Sequence, residues 1–480
     1  MKKIALLTFP FFLFASQVDI NKNISDLEIE LHKLQKEVKY HQEDLDERIP
    51  IIEAIEKKSI LDKINFSPEI LLRFDKFNYK NGIIEGEDTR IYKKNGERTN
   101  VQRRDEFSKH YDVASSIRFR LNMNMRLEDI KFHGRLIYIN SSQSNQRVCI
   151  LSKDIKAGIP GSAFDVDRAY VDYTMNKNTK YPFTFSFGIL PTTGGTPMQF
   201  AQDKKRSSLF PALVFDMNTY GMIGTQKIAK DTYIRAVIAK GYTLRANFYP
   251  YQCNRENIIN ADIFGLYTDT KLYFLGDSLL SFGVNIMHDL KAHLYLGPDV
   301  TADNSTILGT MFTLGLGIDI EHFLKTDTTL FLHTALSNPD ANGDIDDYKI
   351  VNWSDMYEGD SGFTEADYAT GTMLQKNGYS LYIGSKYTIN QNLYVGAEFN
   401  HGSKYWFSAT QGAEDMYNKL ATRGEAYELY SIWKYHRYLG AKLSYLRIHE
   451  SYTGSGWHFG EPAKKDATQN ILSLTLEAKF

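Results

Sequence analysis

From Ser115 to Arg126 the chain alternates between apolar side chains and side chains able to hold anions or water. Arg118, Arg120, Asn122, Asn124 and Arg126 form one row, and Ile117, Phe119, Leu121, Met123 and Met125 form the other. Successive side chains of a strand point to opposite faces, so three guanidiniums and two amides share one side. A dry core is a poor place for that row, because each unpaired buried charge costs several kcal/mol. A water-filled interior removes the cost. Lys131 and Arg135 on the next alternating segment, and Arg168 on the one after, extend the row into a basic wall that tunes a pore toward anions. Asp and Glu reaching in from neighbouring strands or loops would pair with the same arginines and cancel the preference, and both readings stand.

Asp203, Lys204, Lys205 and Arg206 sit at the centre of a second segment, Pro191 to Gly221. Gly194, Gly195, Pro197 and Pro211 allow it sharp bends, while Phe210, Leu213, Val214 and Phe215 supply an apolar anchor. The four charged residues are candidates for a pore constriction. The competing reading makes the segment an extra strand or a lid on the outer mouth. Asp340, Asn342, Asp344 and Asp346 place oxygen ligands at alternate positions, a calcium-like spacing. Gly343 is one place off the usual calcium-loop register and Val351 stands where a closing glutamate belongs, so an acidic surface loop is the simpler reading. No other cofactor is expected. Cys149 and Cys253 fall in two long loops, bonded or free. The sequence carries no Gly-x-Ser-x-Gly, no phosphate-binding glycine loop and no dinucleotide fingerprint, and its twelve histidines show no ligand spacing. The chain is therefore expected not to be an enzyme.

The elements that must position these residues follow from patterning. Met1, Lys2 and Lys3 precede an apolar run from Ile4 to Phe14 with Ala15 and Ser16 behind it, which predicts a signal peptide over 1–17. Ile24, Leu31, Val38, Leu45 and Ile52 recur at one heptad position and Leu27, Leu34 and Ile55 at the other. That predicts a periplasmic helical coiled coil over 20–60, interrupted near Pro50. A single amphipathic helix on a barrel rim is the alternative. No later stretch reaches the roughly 18 apolar residues of a spanning helix. From 66 to 480 the chain instead alternates, down to its last ten residues, where Leu472, Leu474, Leu476, Ala478 and Phe480 oppose Ser473, Thr475, Glu477 and Lys479.

Tight turns are expected near 128–129, 176–179, 229–231, 276–277, 325–327, 390–392 and 436–439, with eight long polar loops between the hairpins. This predicts an all-β fold, a transmembrane antiparallel β-barrel of about sixteen strands with both termini on the short-turn side. About eight strands would fill with side chains and about twenty-two would need a plug, whereas about sixteen leave an aqueous channel. The 31 Tyr and 29 Phe suit girdles at two bilayer interfaces. A net charge of −2 gives no bulk attraction to nucleic acid.

Three segments, Arg118 to Met123, Leu190 to Gly195 and Leu209 to Asp216, carry a likeness to known sequences. On them the chain resembles an uncharacterised family of predicted outer-membrane barrel proteins similar to porins. The resemblance implies the outer membrane of a Gram-negative bacterium, contact with its lipid and lipopolysaccharide, and a loop at 191–221 that folds into the barrel. It carries no catalytic pattern. The sequence expectation is a porin-like channel for small hydrophilic solutes, as a homotrimer whose coil also touches peptidoglycan. The alternative is a structural or adhesive anchor without channel activity.

Overall fold

The structure, a computed structural model, describes residues 24–46, 48–49, 63–85, 90–91, 98–99, 107–141, 161–241, 261–275, 278–293, 305–341, 376–410, 415, 417–452, 462 and 464–480. The chain divides into two compact units, 1–64 and 65–480. In the first, residues 24–46 form a helix, with 48–49 also helical. Its heptad side chains are uncovered within one chain: Leu27, Leu31, Leu34, Val38 and Leu45 are all exposed. Among the described residues no helix is long and apolar enough to cross a membrane.

The second unit is a closed barrel. Strand β1 is Ile64–Glu85. After a small ladder of β2 (Arg90–Ile91) and β3 (Arg98–Thr99) come β4 (Phe107–Leu127), β5 (Ile130–Ser141), β6 (Gly161–Met175), β7 (Phe183–Ile189), β8 (Thr219–Ala229) and β9 (Thr232–Gly241). The chain continues through β10 (Asp262–Leu272), β11 (Ser278–His293), β12 (Ser305–Ile320), β13 (Thr328–Ala341), β14 (Gly378–Asn390), β15 (Leu393–Gly402), β16 (Gly424–His436), β17 (Leu439–Tyr452) and β18 (Lys464–Lys479). With β2 and β3 set aside, sixteen strands close the cylinder in chain order, and β18 returns antiparallel to β1 from Glu69↔Lys479 to Glu85↔Lys464. Three of the short turns use acidic or amide residues at positive φ, Glu128 at 50°, Asn176 at 53° and Asp231 at 53°, and the turn after β12 places His322, Leu324 and Lys325 there. Asn and Asp tolerate the left-handed region better than most.

The two faces of each strand differ as a membrane barrel requires. On β18, Leu472, Leu474 and Leu476 are 46, 41 and 42% exposed, while Ser473 between them is 1% exposed. The same outward apolar row recurs in Leu314 and Leu316 of β12 and Leu332 and Leu336 of β13. A continuous surface of this kind fits lipid, not water. Aromatics mark both rims. Tyr173, Tyr181, Phe274, Trp433, Tyr435 and Phe480 are exposed near the short turns, and Tyr220, Phe264, Tyr379 and Tyr427 near the long loops.

The interior departs from the expectation of a lumen simply filled with water. Ile223, Val237, Ile263, Tyr267, Met287, Met311, Phe331 and Tyr382 line the inner wall from β8 to β14 and belong to one buried apolar cluster. Among buried polar groups such as Arg235, Asp269, Asn285, Asp319 and His333, the inner face of those strands thus carries large apolar side chains as well, and something must cover them. Two loops do.

Candidate functional site

Loop 3, between β7 and β8, folds into the barrel. Phe210, Leu213, Val214 and Phe215 are each no more than 1% exposed and complete the cluster on the β8–β14 wall. Burying side chains of this size contributes roughly 1.5–3 kcal/mol apiece. Phe200 stacks on Phe331 of β13 with ring centroids 5.7 Å apart. Room for the loop comes from a small inward residue: a Cβ on Gly315 of β12 would lie 2.3 Å from Val214 Cγ2. The loop also braces itself. Gly194 N–H donates to Asp216 Oδ1 at 2.6 Å, Ala212 N–H donates to the Thr196 carbonyl at 2.9 Å, and a Cβ on Gly195 would meet the Phe210 carbonyl oxygen at 1.8 Å.

The charged tip reaches the short-turn half of the lumen. A one-turn helix, Gln199–Gln202, ends at Asp203 in the left-handed region, with φ 47°. Asp203 accepts from Lys386 of β14 at 2.5 Å and pairs with Lys434 of β16. Burial opposes its ionisation, but the two ammonium groups prevail and hold its carboxyl below the ordinary value. Lys204 lies 2.9 Å from Glu477 of β18, and Arg206 donates to Asp269 of β10 at 2.9 Å. Lys205 is exposed. On the other flank Arg168 of β6 donates to the carbonyls of Ser207 and Thr193 at 3.1 and 2.9 Å. Thr196 donates to Asp319 of β12.

Loop 7, between β15 and β16, also folds inward, and no sequence expectation singled it out. Trp406, Phe407 and Leu420 are buried, and Trp406 Nε1 donates to the Leu420 carbonyl at 2.8 Å. Lys419 pairs with Glu398 of β15 and Glu428 of β16, and Glu428 also accepts from Lys442 of β17 at 2.7 Å. Tyr417 donates to Asp75 of β1 at 3.0 Å while the Arg73 guanidinium sits 4.9 Å above its ring. The two loops meet where Asp216 N–H donates to the Ala409 carbonyl at 3.0 Å. A signal existed: the run Tyr405-Trp406-Phe407 is too apolar for a loop in water.

The arginine row separates into different fates. Arg135 is 5% exposed and grips Asp167 through two bonds of 2.7 and 2.6 Å, and Arg120 approaches the same carboxylate at 3.9 Å. Asp167 and Arg168 both reach these inner partners because β6 carries a bulge, the register shifting between Arg135↔Arg168 and Leu136↔Val166. Asn122 donates to Glu69 and to the Ser67 carbonyl, each at 3.1 Å, and Asn124 meets His133 at 2.7 Å. Arg126 is exposed beside the first short turn. Arg118 lines the cavity that the two loops leave open.

That cavity has a volume of about 520 Å³ and lies mainly against β1, β4 and β16–β18, with Ile139 of β5 and Tyr382 of the apolar wall also in its lining. Arg73, Arg118, Asp203, Lys204, Lys419, Glu428, Lys434, Lys442 and Glu477 line it. Its lining also includes His436, Arg437 and Tyr438, so it extends to the short-turn end of the barrel. Lys205, Arg206, Arg120, Arg135 and Arg168 are not part of that lining. Among the described residues no group of three or more His, Cys, Asp or Glu is placed to hold a metal. Asp340 lies near the end of β13, whereas Asn342, Asp344 and Asp346 fall outside the described residues, as do Cys149 and Cys253.

Solved structures of similar fold include OprB of Pseudomonas putida at high pH, with 10% identity over 88% of this chain and 96% of that one, TM-score 0.46. The outer membrane channel DcaP of Acinetobacter baumannii shares 14% identity over 87% and 98%, TM-score 0.42. OmpT, an outer membrane protein of Vibrio cholerae, shares 11% over 87% and 97%, TM-score 0.42. No curated protein sequence matches the chain. A family profile described as protein of unknown function (DUF3373) matches residues 108–477, which runs from β4 to β18 and takes in both inserted loops. The chain belongs to that family.

Proposed function

We propose that this protein is an outer-membrane channel passing small hydrophilic solutes along one side of a barrel narrowed by loops 3 and 7. The observation that carries the reading is the cavity itself: a space of about 520 Å³ with charged side chains in its lining, inside a closed cylinder whose outside is apolar. A cylinder built only to anchor loops has no need of a row of charged side chains around an internal void. The leader over 1–17 and the girdled outer surface support insertion in the outer membrane, with the helix over 24–46 on the periplasmic side. The uncovered heptad stripe supports a homotrimer joined through that helix. Contacts with lipopolysaccharide and peptidoglycan belong to the same proposal.

The test is single-channel recording of purified protein in a planar bilayer. Discrete current steps are expected, smaller than those of a barrel whose lumen is clear. One observation favours the anchor reading: the apolar cluster that dries the β8–β14 side. A silent bilayer would select it.

A further inference from the structure

Resting on that channel reading, we propose that the cavity beside loop 3 is a binding site for small solutes carrying several carboxylate or phosphate groups. Its charges follow one repeated unit, a carboxylate held between two ammonium groups. Glu477 lies 2.9 Å from Lys204 and 2.9 Å from Lys479. Asp203 lies between Lys386 and Lys434, and Glu428 between Lys419 and Lys442. Glu398 shares Lys419, which balances the third unit, but each of the other two brings one positive charge more than it neutralises.

The surplus extends to the whole cavity. Its described lining holds eight Lys or Arg side chains against four Asp or Glu, and the excess remains when Asp75 and Glu398, which pair with Arg73 and Lys419 from outside the lining, are added. Low-dielectric walls focus such a field, and the ion pairs hold the ammonium groups in place, so an arriving anion finds them already ordered. The volume of about 520 Å³ lies within the range of small-molecule sites, about 300–1,000 Å³. Arg135 and Arg120, in contrast, are engaged with Asp167 outside the lining. The anion preference thus belongs chiefly to lysines gathered around loops 3 and 7, joined from the arginine row by Arg118.

The experiment is a calorimetric titration of the folded full-length chain in uncharged detergent with inorganic phosphate, with citrate and with spermidine as a cationic control. Saturable binding of at least one anion, none of spermidine, and weakening as salt rises are expected. Tighter phosphate assigns phosphorylated solutes, and tighter citrate assigns carboxylates. Lys204→Gln combined with Lys442→Gln should weaken binding about fivefold, on the order expected for two part-screened charges. If that variant fails to fold, Lys434→Gln, at a more exposed position, should weaken it by a smaller factor. Absence of binding by both anions, spermidine binding as tight as theirs, or insensitivity to salt overturns the proposal. The two readings fail separately: a silent bilayer with saturable anion binding removes the channel, and a conducting barrel that binds neither anion removes the site.

Discussion

Asp167 holds more of the inner wall than any one arginine in the row. Its carboxylate takes both guanidinium bonds from Arg135 and faces Arg120 at 3.9 Å. Asp167→Asn should lower the unfolding free energy by about 3 kcal/mol, because removing one partner leaves buried charge poorly compensated. Urea titration in lipid vesicles measures this, and a loss below about 1 kcal/mol would show the pair to be dispensable. Asp203 adds a pH dependence of known sign. Its carboxyl is held below the ordinary value of 3.8, so its contribution is fully present above that value and is lost as pH falls through the lowered one. Acidification through that window should free the loop tip, and Asp203→Asn should reproduce the acid behaviour at neutral pH. Protease cleavage within 199–207 is the readout; a cleavage rate indifferent to both changes would refute the role.

At the scale of elements, the strands and turns were legible because they are local. Alternation marks a strand wherever one face meets lipid, and residues such as Asn176 and Asp231 mark the places where the chain reverses. The apolar run Phe210 to Phe215 likewise announced a loop in need of burial. What stayed hidden depends on register between strands far apart in sequence. Nothing near Arg135 says that a bulge 32 residues later will deliver Asp167 to it, and nothing in Lys419 names Glu398 and Glu428 as its partners. The apolar wall was hidden for a related reason: Ile263 and Tyr267 alternate with Phe264 and Leu266, so over that stretch β10 is apolar on both faces, and only Asp269 further along marks the inner one as polar. Loop 3 is held there by shape, which predicts an outcome. Gly315→Leu puts a branched side chain where Val214 now sits, and should displace the loop and raise single-channel conductance severalfold. Unchanged conductance in a folded variant would mean that the loop is not what narrows the barrel.

For the whole molecule the open question of assembly lies with the first unit. Leu27, Leu31, Leu34, Val38 and Leu45 are exposed on a helix that no strand explains. A trimeric coil would bury them, and the mass of the detergent-solubilised chain should then fall from three copies to one when residues 20–60 are deleted. A mass that does not change would place the association, if any, on the barrel.

The charged side of the cylinder is also where the barrel's first and last strands meet, because β1, β17 and β18 supply Arg73, Lys442, Glu477 and Lys479. No such wall exists until the last strand has zipped against the first. Before that closure Lys204 has no Glu477 to dock on. Closure of the barrel and assembly of that charged wall become one event.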